Sequence, residues 1–216
     1  MGGEELYRDC HRRIVALLDG QDGTTPVPAC PGWTVKGVVS HLGGSLADAR
    51  TGRLRSVPTN EWTAGQVEAR RDWTLEECLR EWADEIAISG PLLGAVPILT
   101  ADVVSHEHDV RAALGRPGGR ETEAVRVGAA MFAEALEGRI RRRRLPALAL
   151  CRDGLERVLG EGEPAARLRA TSFEVMRAVS GRRTEDEVRA MDWDGDCATG
   201  LPFFFVFGPT ASSIGE

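Results

Sequence analysis

The sequence predicts an α+β protein built in two parts, an all-helical first part and a mixed second part. Two observations carry this. Four segments in the first 115 or so residues repeat apolar side chains at helical spacing, enough for an antiparallel four-helix bundle. The composition then breaks at Gly115-Arg116-Pro117-Gly118-Gly119, and beyond it short apolar runs alternate with turn residues. A chain of 216 residues is about long enough for two cores of roughly 100 residues each, so the boundary is set between residues 1–118 and 119–216.

The elements follow in order. Residues 3–18 place Leu6, Cys10, Ile14, Leu17 and Leu18 on one helical face, and Gly20 stops the helix. The segment 21–32 is a loop by its Gly, Pro and Thr content, and Thr34 is an N-cap opening a second helix through Leu54. A polar stretch at 57–66 reads as loop. Thr74 and Glu77 have capping-box spacing and start a third helix ending near Ile88. Gly90, Pro91, Gly94 and Pro97 interrupt the chain before a fourth helix at 98–114. In the second part a helix at 122–138 precedes strands at 145–151 and 165–170. Thr171 with Glu174 and Thr184 with Glu187 open two short helices, and 201–209 is a buried strand or packed tail.

Composition narrows the function. A net charge of −6 disfavours nucleic acid as a partner, because backbone binding needs a basic surface. No apolar run reaches the ~20 residues of a spanning helix, and the polar start has no secretory pattern, so the expectation is a cytoplasmic protein without a membrane partner. Five scattered cysteines with no CxxC pair are expected to be reduced, packed thiols. Lys36 is the single lysine against 26 arginines, a skew consistent with a GC-rich genome. The run Arg139–Arg144 reads as a solvated face.

The chemistry-bearing stretch is Thr100–Gly115. Asp102 and His106 lie one helical turn apart on one face, and Asp109 returns to it. His41, midway along the second helix, is placed to meet them from a facing helix. Two imidazoles and one carboxylate leave a coordination position open on a divalent ion, the pattern of a catalytic site; Zn²⁺ is the favoured metal, and Fe(II) or Ni²⁺ suit the same ligands. His11 and His108 are expected at the surface, Trp33 as core, and Cys30, a conceivable nucleophile without a flanking histidine in the sequence, as a buried thiol.

Three motifs then add a resemblance. Val27–Gly44, with its Pro-Gly-Trp turn eight residues before His41, Asp102–Pro117, and Ser172–Asp196 resemble, in order, segments of the DinB-like, mycothiol-dependent maleylpyruvate isomerase family. The resemblance implies an N-terminal DinB-like metal-binding bundle with ligands His41, Asp102 and His106, followed by a small SCP2-like α/β domain. It also implies mycothiol, or a similar low-molecular-weight thiol, as cosubstrate. The family commonly has glutamate where Asp102 stands. The shorter carboxylate has to be reached by a helix shift or through a water, and Asp109 is the alternative oxygen ligand or a partner orienting a histidine N–H. An arginine of the family's second domain serves the cleft; Arg182 and Arg183 are the candidates here, with Arg182 favoured, and the alternative reading is a solvated pair bonding the carbonyls at a helix C-terminus.

The expected activity is divalent-metal-dependent activation of a thiol for S-transfer to, or cis–trans isomerisation of, a small electrophile. Two alternatives stay open: a metallohydrolase on the same bundle, in which the metal activates water, and a non-catalytic protein that binds metal or an apolar ligand.

Overall fold

The structure is a computed structural model that describes residues 2–53, 59–198 and 201–216. The chain divides into two compact units, Met1–Gly118 and Gly119–Glu216.

The first unit is helical. Its elements are α1 (Gly3–Leu17), α2 (Val35–Arg50), α3 (Asn60–Glu68), α4 (Leu75–Ile88), α5 (Gly90–Ala95) and α6 (Pro97–Ala113). Threonine caps open three of them: Thr34, Thr59 and Thr74 each accept a hydrogen bond from the backbone N–H three residues on, and Thr74 with Glu77 completes a capping box. Pro97 stands in the first turn of α6, where its missing N–H costs nothing. α2 packs against α3, α4 and α6, while α1 packs against α5 and α6. Between them lies a core of Tyr7, Ile14, Leu42, Leu46, Trp82 and Leu93, with the Trp82 indole N–H donating to the Tyr7 hydroxyl at 2.9 Å. Removing one such Leu side chain costs roughly 2–5 kcal/mol.

Three expectations about the elements of this unit are corrected. The break at 90–97 holds a short helix, α5. The stretch read as loop is partly helix: Leu54–Pro58 lie outside the described residues, but Thr59 caps α3, which buries Gln66. The second helix stops at Arg50, four residues short of the expected end, since Gly52 takes a left-handed backbone at φ +71°; Leu54 itself is outside the description.

The second unit begins with α7 (Glu123–Arg143). This helix runs five residues beyond the expected end, so the arginine run forms its last turns, and Arg144 ends it at φ 53°. Arg139 donates to the carbonyls of Phe205 and Val206, so at least that member of the run is not a purely solvated charge. A four-stranded mixed sheet follows, formed by β1 (Ala147–Arg152), β2 (Leu155–Leu159), β3 (Pro164–Ala170) and β4 (Asp192–Gly195) in the order β2-β1-β3-β4. β1 runs parallel to β3, and both outer pairings are antiparallel. Asp153 and Gly154, both at positive φ, form the two-residue turn of the β1–β2 hairpin. α8 (Ser172–Val179) and α9 (Glu185–Arg189) start at the expected caps Thr171 and Thr184. The tail at 201–209 is not a strand: Leu201–Phe204 form one helical turn, α10, with Leu201, Phe204 and Phe205 buried. α7 packs on α8, α10 and β2, so the unit is α+β.

Candidate metal centre

α6 and α2 supply the chemistry of the first unit. Along α6 the spacing of Asp102, His106 and Asp109 puts all three on one side, and α2 turns His41 toward them. The rings of His41 and His106 lie 5.0 Å apart at 75°. Between them is the Asp102 carboxylate, with Oδ2 3.4 Å from His41 Nε2 and Oδ1 3.5 Å from His106 Nε2. One ligand atom from each of the three residues falls within 4.8 Å of the other two. Ligands ~2.0–2.2 Å from a tetrahedral ion stand roughly 3.3–3.5 Å from one another, so these spacings fit a single divalent cation. The aspartate reaches both Nε2 atoms without a longer side chain. Both histidines are buried, whereas Asp102 keeps 29% of its side chain accessible.

The opposite nitrogen of each ring is held from behind. His41 Nδ1 lies 2.7 Å from Gln66 Oε1, an amide oxygen that can only accept, so the ring proton sits on Nδ1 and Nε2 presents its lone pair to Asp102. Gln66 is fixed in turn: its amide N–H donates to Asp48 Oδ2 at 2.8 Å, where the Trp62 indole N–H also donates at 2.9 Å. Arg53 completes the row by donating to Asp48 Oδ1 at 3.0 Å. A cavity of about 800 Å³ opens beside this row, lined by Asp48, Arg53, Trp62 and Gln66 among others. On α6, His106 Nδ1 is 3.0 Å from Oδ2 of Asp109, which is fully buried. Asp109 therefore stands behind His106, on the nitrogen turned away from His41.

The loop before α2 forms one wall. Cys30-Pro31-Gly32-Trp33 is a β-turn closed by a 2.9 Å bond from the Trp33 N–H to the Cys30 carbonyl, with Gly32 at φ +85°. Pro then Gly at the central positions is the type II signature. The turn sets its end residues side by side against α6. The Trp33 ring stacks over His106 at 6.2 Å and 25°, and tilts against His41 at 5.2 Å. Cys30 Sγ lies 3.5 Å from Asp109 Oδ2 and 3.9 Å from His106 Nδ1. Both expectations for this loop are therefore corrected. Trp33 is half-buried and walls the histidine pair, and Cys30 is half-buried beside a histidine brought from 76 residues away.

The other histidines also depart from expectation. His108 is buried. His11 is half-buried with its ring edge-on to Trp82 at 4.5 Å, and burial, then the Arg12 and Arg8 charges, lower its pKa to about 4. Glu107, next to His106, is buried by packing toward α1, where Arg13 grips both its oxygens at 2.8 and 2.7 Å and Arg111 adds a third contact.

In the second unit Arg183 is buried, its guanidinium shared between Glu174 and Glu216, and these carboxylates keep it firmly charged against the effect of burial. Arg182 is half-buried, and its Nη1 donates to the Ser180 carbonyl at 3.0 Å. No helix among the described residues is long and apolar enough to cross a membrane.

No family model and no curated protein matches this sequence. Two solved structures resemble it in fold. One is the crystal structure of the mycothiol-dependent maleylpyruvate isomerase, with a TM-score of 0.54 and 12% identity. The other is a histidine-to-alanine mutant of that isomerase, with a TM-score of 0.59 and 11% identity. Both alignments cover 83% of this chain and 88% of the other. At such identity the likeness is one of fold.

Proposed function

We propose that His41, Asp102 and His106 hold a divalent metal ion, Zn²⁺ by the chemistry of the donor set, and that the protein uses this centre to activate a low-molecular-weight thiol. The observation that carries the reading is the convergence of two Nε2 atoms and one carboxylate at ligand spacing, with each imidazole held from its far side. When bound, such an ion lowers the pKa of a coordinated thiol so that the thiolate is the reacting form at neutral pH.

The chain's own residues do the rest. His41 and His106 bind as neutral imidazoles, and Gln66 and Asp109 keep the ring protons away from Nε2. Asp102 contributes one negative charge, so the centre keeps a net positive charge for an anionic sulfur. Trp33 covers the flank of both rings. The substrate class is a small electrophile: thiol addition to a conjugated double bond permits rotation and return of the thiol, whereas attack at a saturated carbon leaves a conjugate. Arg182 is proposed as the cationic contact for an anionic group on the thiol or the substrate. The fold shared with a mycothiol-dependent maleylpyruvate isomerase supports mycothiol as the thiol and isomerisation as the reaction.

The test follows thiol and electrophile together in metal-loaded and chelated protein. Turnover is expected only when both metal and thiol are supplied, and it should be abolished in His106→Ala. Turnover without thiol would overturn thiol activation in favour of a metallohydrolase.

A further inference from the structure

His106 carries two nitrogens, and the proposed centre uses one. Around the other, Cys30 Sγ, His106 Nδ1 and Asp109 form a second set whose ligand atoms lie within 4.8 Å of one another. The separations are 3.9 Å from Sγ to Nδ1, 3.5 Å from Sγ to Oδ2 and 3.0 Å from Nδ1 to Oδ2. A tetrahedral ion with one sulfur ligand at ~2.3 Å and two N/O ligands needs edges of roughly 3.3–3.6 Å, so small side-chain shifts suffice.

We infer that Cys30, His106 Nδ1 and Asp109 form a second cation site, selective for thiophilic d¹⁰ ions, which competes with His41 for one imidazole. Charge supports it. Asp109 is fully buried beside the Cys30 thiol and His106 Nδ1, so its carboxylate stands against the place that a cation held by the other two would take. A thiolate and a carboxylate together neutralise a divalent ion, which removes the main penalty of burying it. Sulfur supplies the selectivity, because thiolate ligands favour soft ions while carboxylate and water favour hard ones. Access comes through Cys30, which is half-buried at the end of its turn.

The proton inventory explains the competition. With the ring proton on Nδ1, 3.0 Å from the Asp109 carboxylate, the His106 lone pair is on Nε2 and faces His41 and Asp102. Coordination at Nδ1 sends the Cys30 thiol proton to solvent and moves the ring proton to Nε2, where Asp102 Oδ1 at 3.5 Å can accept it. The two sets are thus alternatives selected by one tautomer. Binding at Cys30 does not depend on the proposed function; the competition does.

The test is Cd²⁺ titration of the metal-free full-length His41→Ala protein, followed by sulfur-to-metal charge-transfer absorption. A saturable band is expected, and Cys30→Ser in the same background should remove it while keeping an O–H donor toward Asp109. No band in His41→Ala, or an undiminished band after Cys30→Ser, overturns the site. The remaining cysteines are untouched by the substitution. If His41→Ala loses its fold, the same comparison between wild type and Cys30→Ser decides. Zinc failing to bind at His41 would defeat the proposed function and leave this result standing.

Discussion

Gln66 and Asp109 touch the far nitrogens of the two histidines, and under the proposed metal reading they act on the ion only through those rings. Gln66 Oε1 can only accept from His41 Nδ1, and the Asp109 carboxylate 3.0 Å from His106 Nδ1 favours a proton there, so both favour the tautomer with a lone pair on Nε2. Losing such a partner weakens metal binding ~10–100-fold. Gln66→Leu and Asp109→Asn are therefore expected to reduce zinc affinity by about that factor with helicity unchanged, measured by competition with a chromogenic chelator. Unaltered affinity in both variants would mean that the rings are held by packing alone. Of these residues, Asp102, His106 and Asp109 are legible from helical spacing in the sequence, and His41 from its place midway along the second helix together with the family resemblance. Gln66, Trp33 and Cys30 are not, because each comes from a distant segment and is brought in by packing. A partial signal exists in Cys30-Pro31-Gly32-Trp33. Pro-Gly dictates a tight turn, and a tight turn makes its two end residues neighbours.

α3 delivers Gln66, and its position depends on a small residue in α2. A Cβ at Gly44 would stand 2.8 Å from the Gln66 Cβ and 2.9 Å from its Cγ, too close unless α3 moves. Gly44→Ala is expected to shift α3, loosen the Gln66–His41 bond and cost roughly tenfold in metal affinity. A variant that binds zinc as wild type does would contradict this role for the α2–α3 contact. The polar composition of Asn60–Glu68 hides this helix, since one cap and one buried amide leave little apolar periodicity. β2 is hidden for a related reason: four of its five residues are exposed, so nothing alternates. The Asp153-Gly154 pair was its available signal.

The packing of α1 on its neighbours carries a pH dependence. His11 has a pKa of about 4 in the fold against an ordinary value of 6.5, so the unfolded chain takes up its proton first. Its contribution to stability is full above about pH 6.5, declines as pH falls toward about 4, and levels off below. Urea unfolding across this range should show that decline in wild type and a shallower one in His11→Phe. Equal slopes in the two proteins would contradict the assignment.

At the scale of the molecule, a helical unit and a mixed-sheet unit meet in sequence at Gly118 and Gly119. The helical unit gathers both candidate ligand sets. The α+β class was legible because apolar periodicity changes at the glycine-rich break, and patterning of this kind survives where identity does not. A fold shared at 11–12% identity over 83% of the chain is what core patterning without residue conservation produces. The capping threonines at 34, 74, 171 and 184 marked helix starts because a cap is satisfied locally. Sheet order and the burial of His108 were not legible, since both depend on pairings far apart in sequence.

The most direct test is metal analysis of zinc-reconstituted, dialysed full-length protein beside His41→Ala, Asp102→Ala and His106→Ala. Wild type should retain a stoichiometric ion; His106→Ala, which removes a ligand from both sets, should lose most of it, and His41→Ala and Asp102→Ala should lose most of it in a Cys30→Ser background, all remaining folded by circular dichroism. Retention of stoichiometric zinc in all three variants, or none in wild type, would contradict a centre built from these residues.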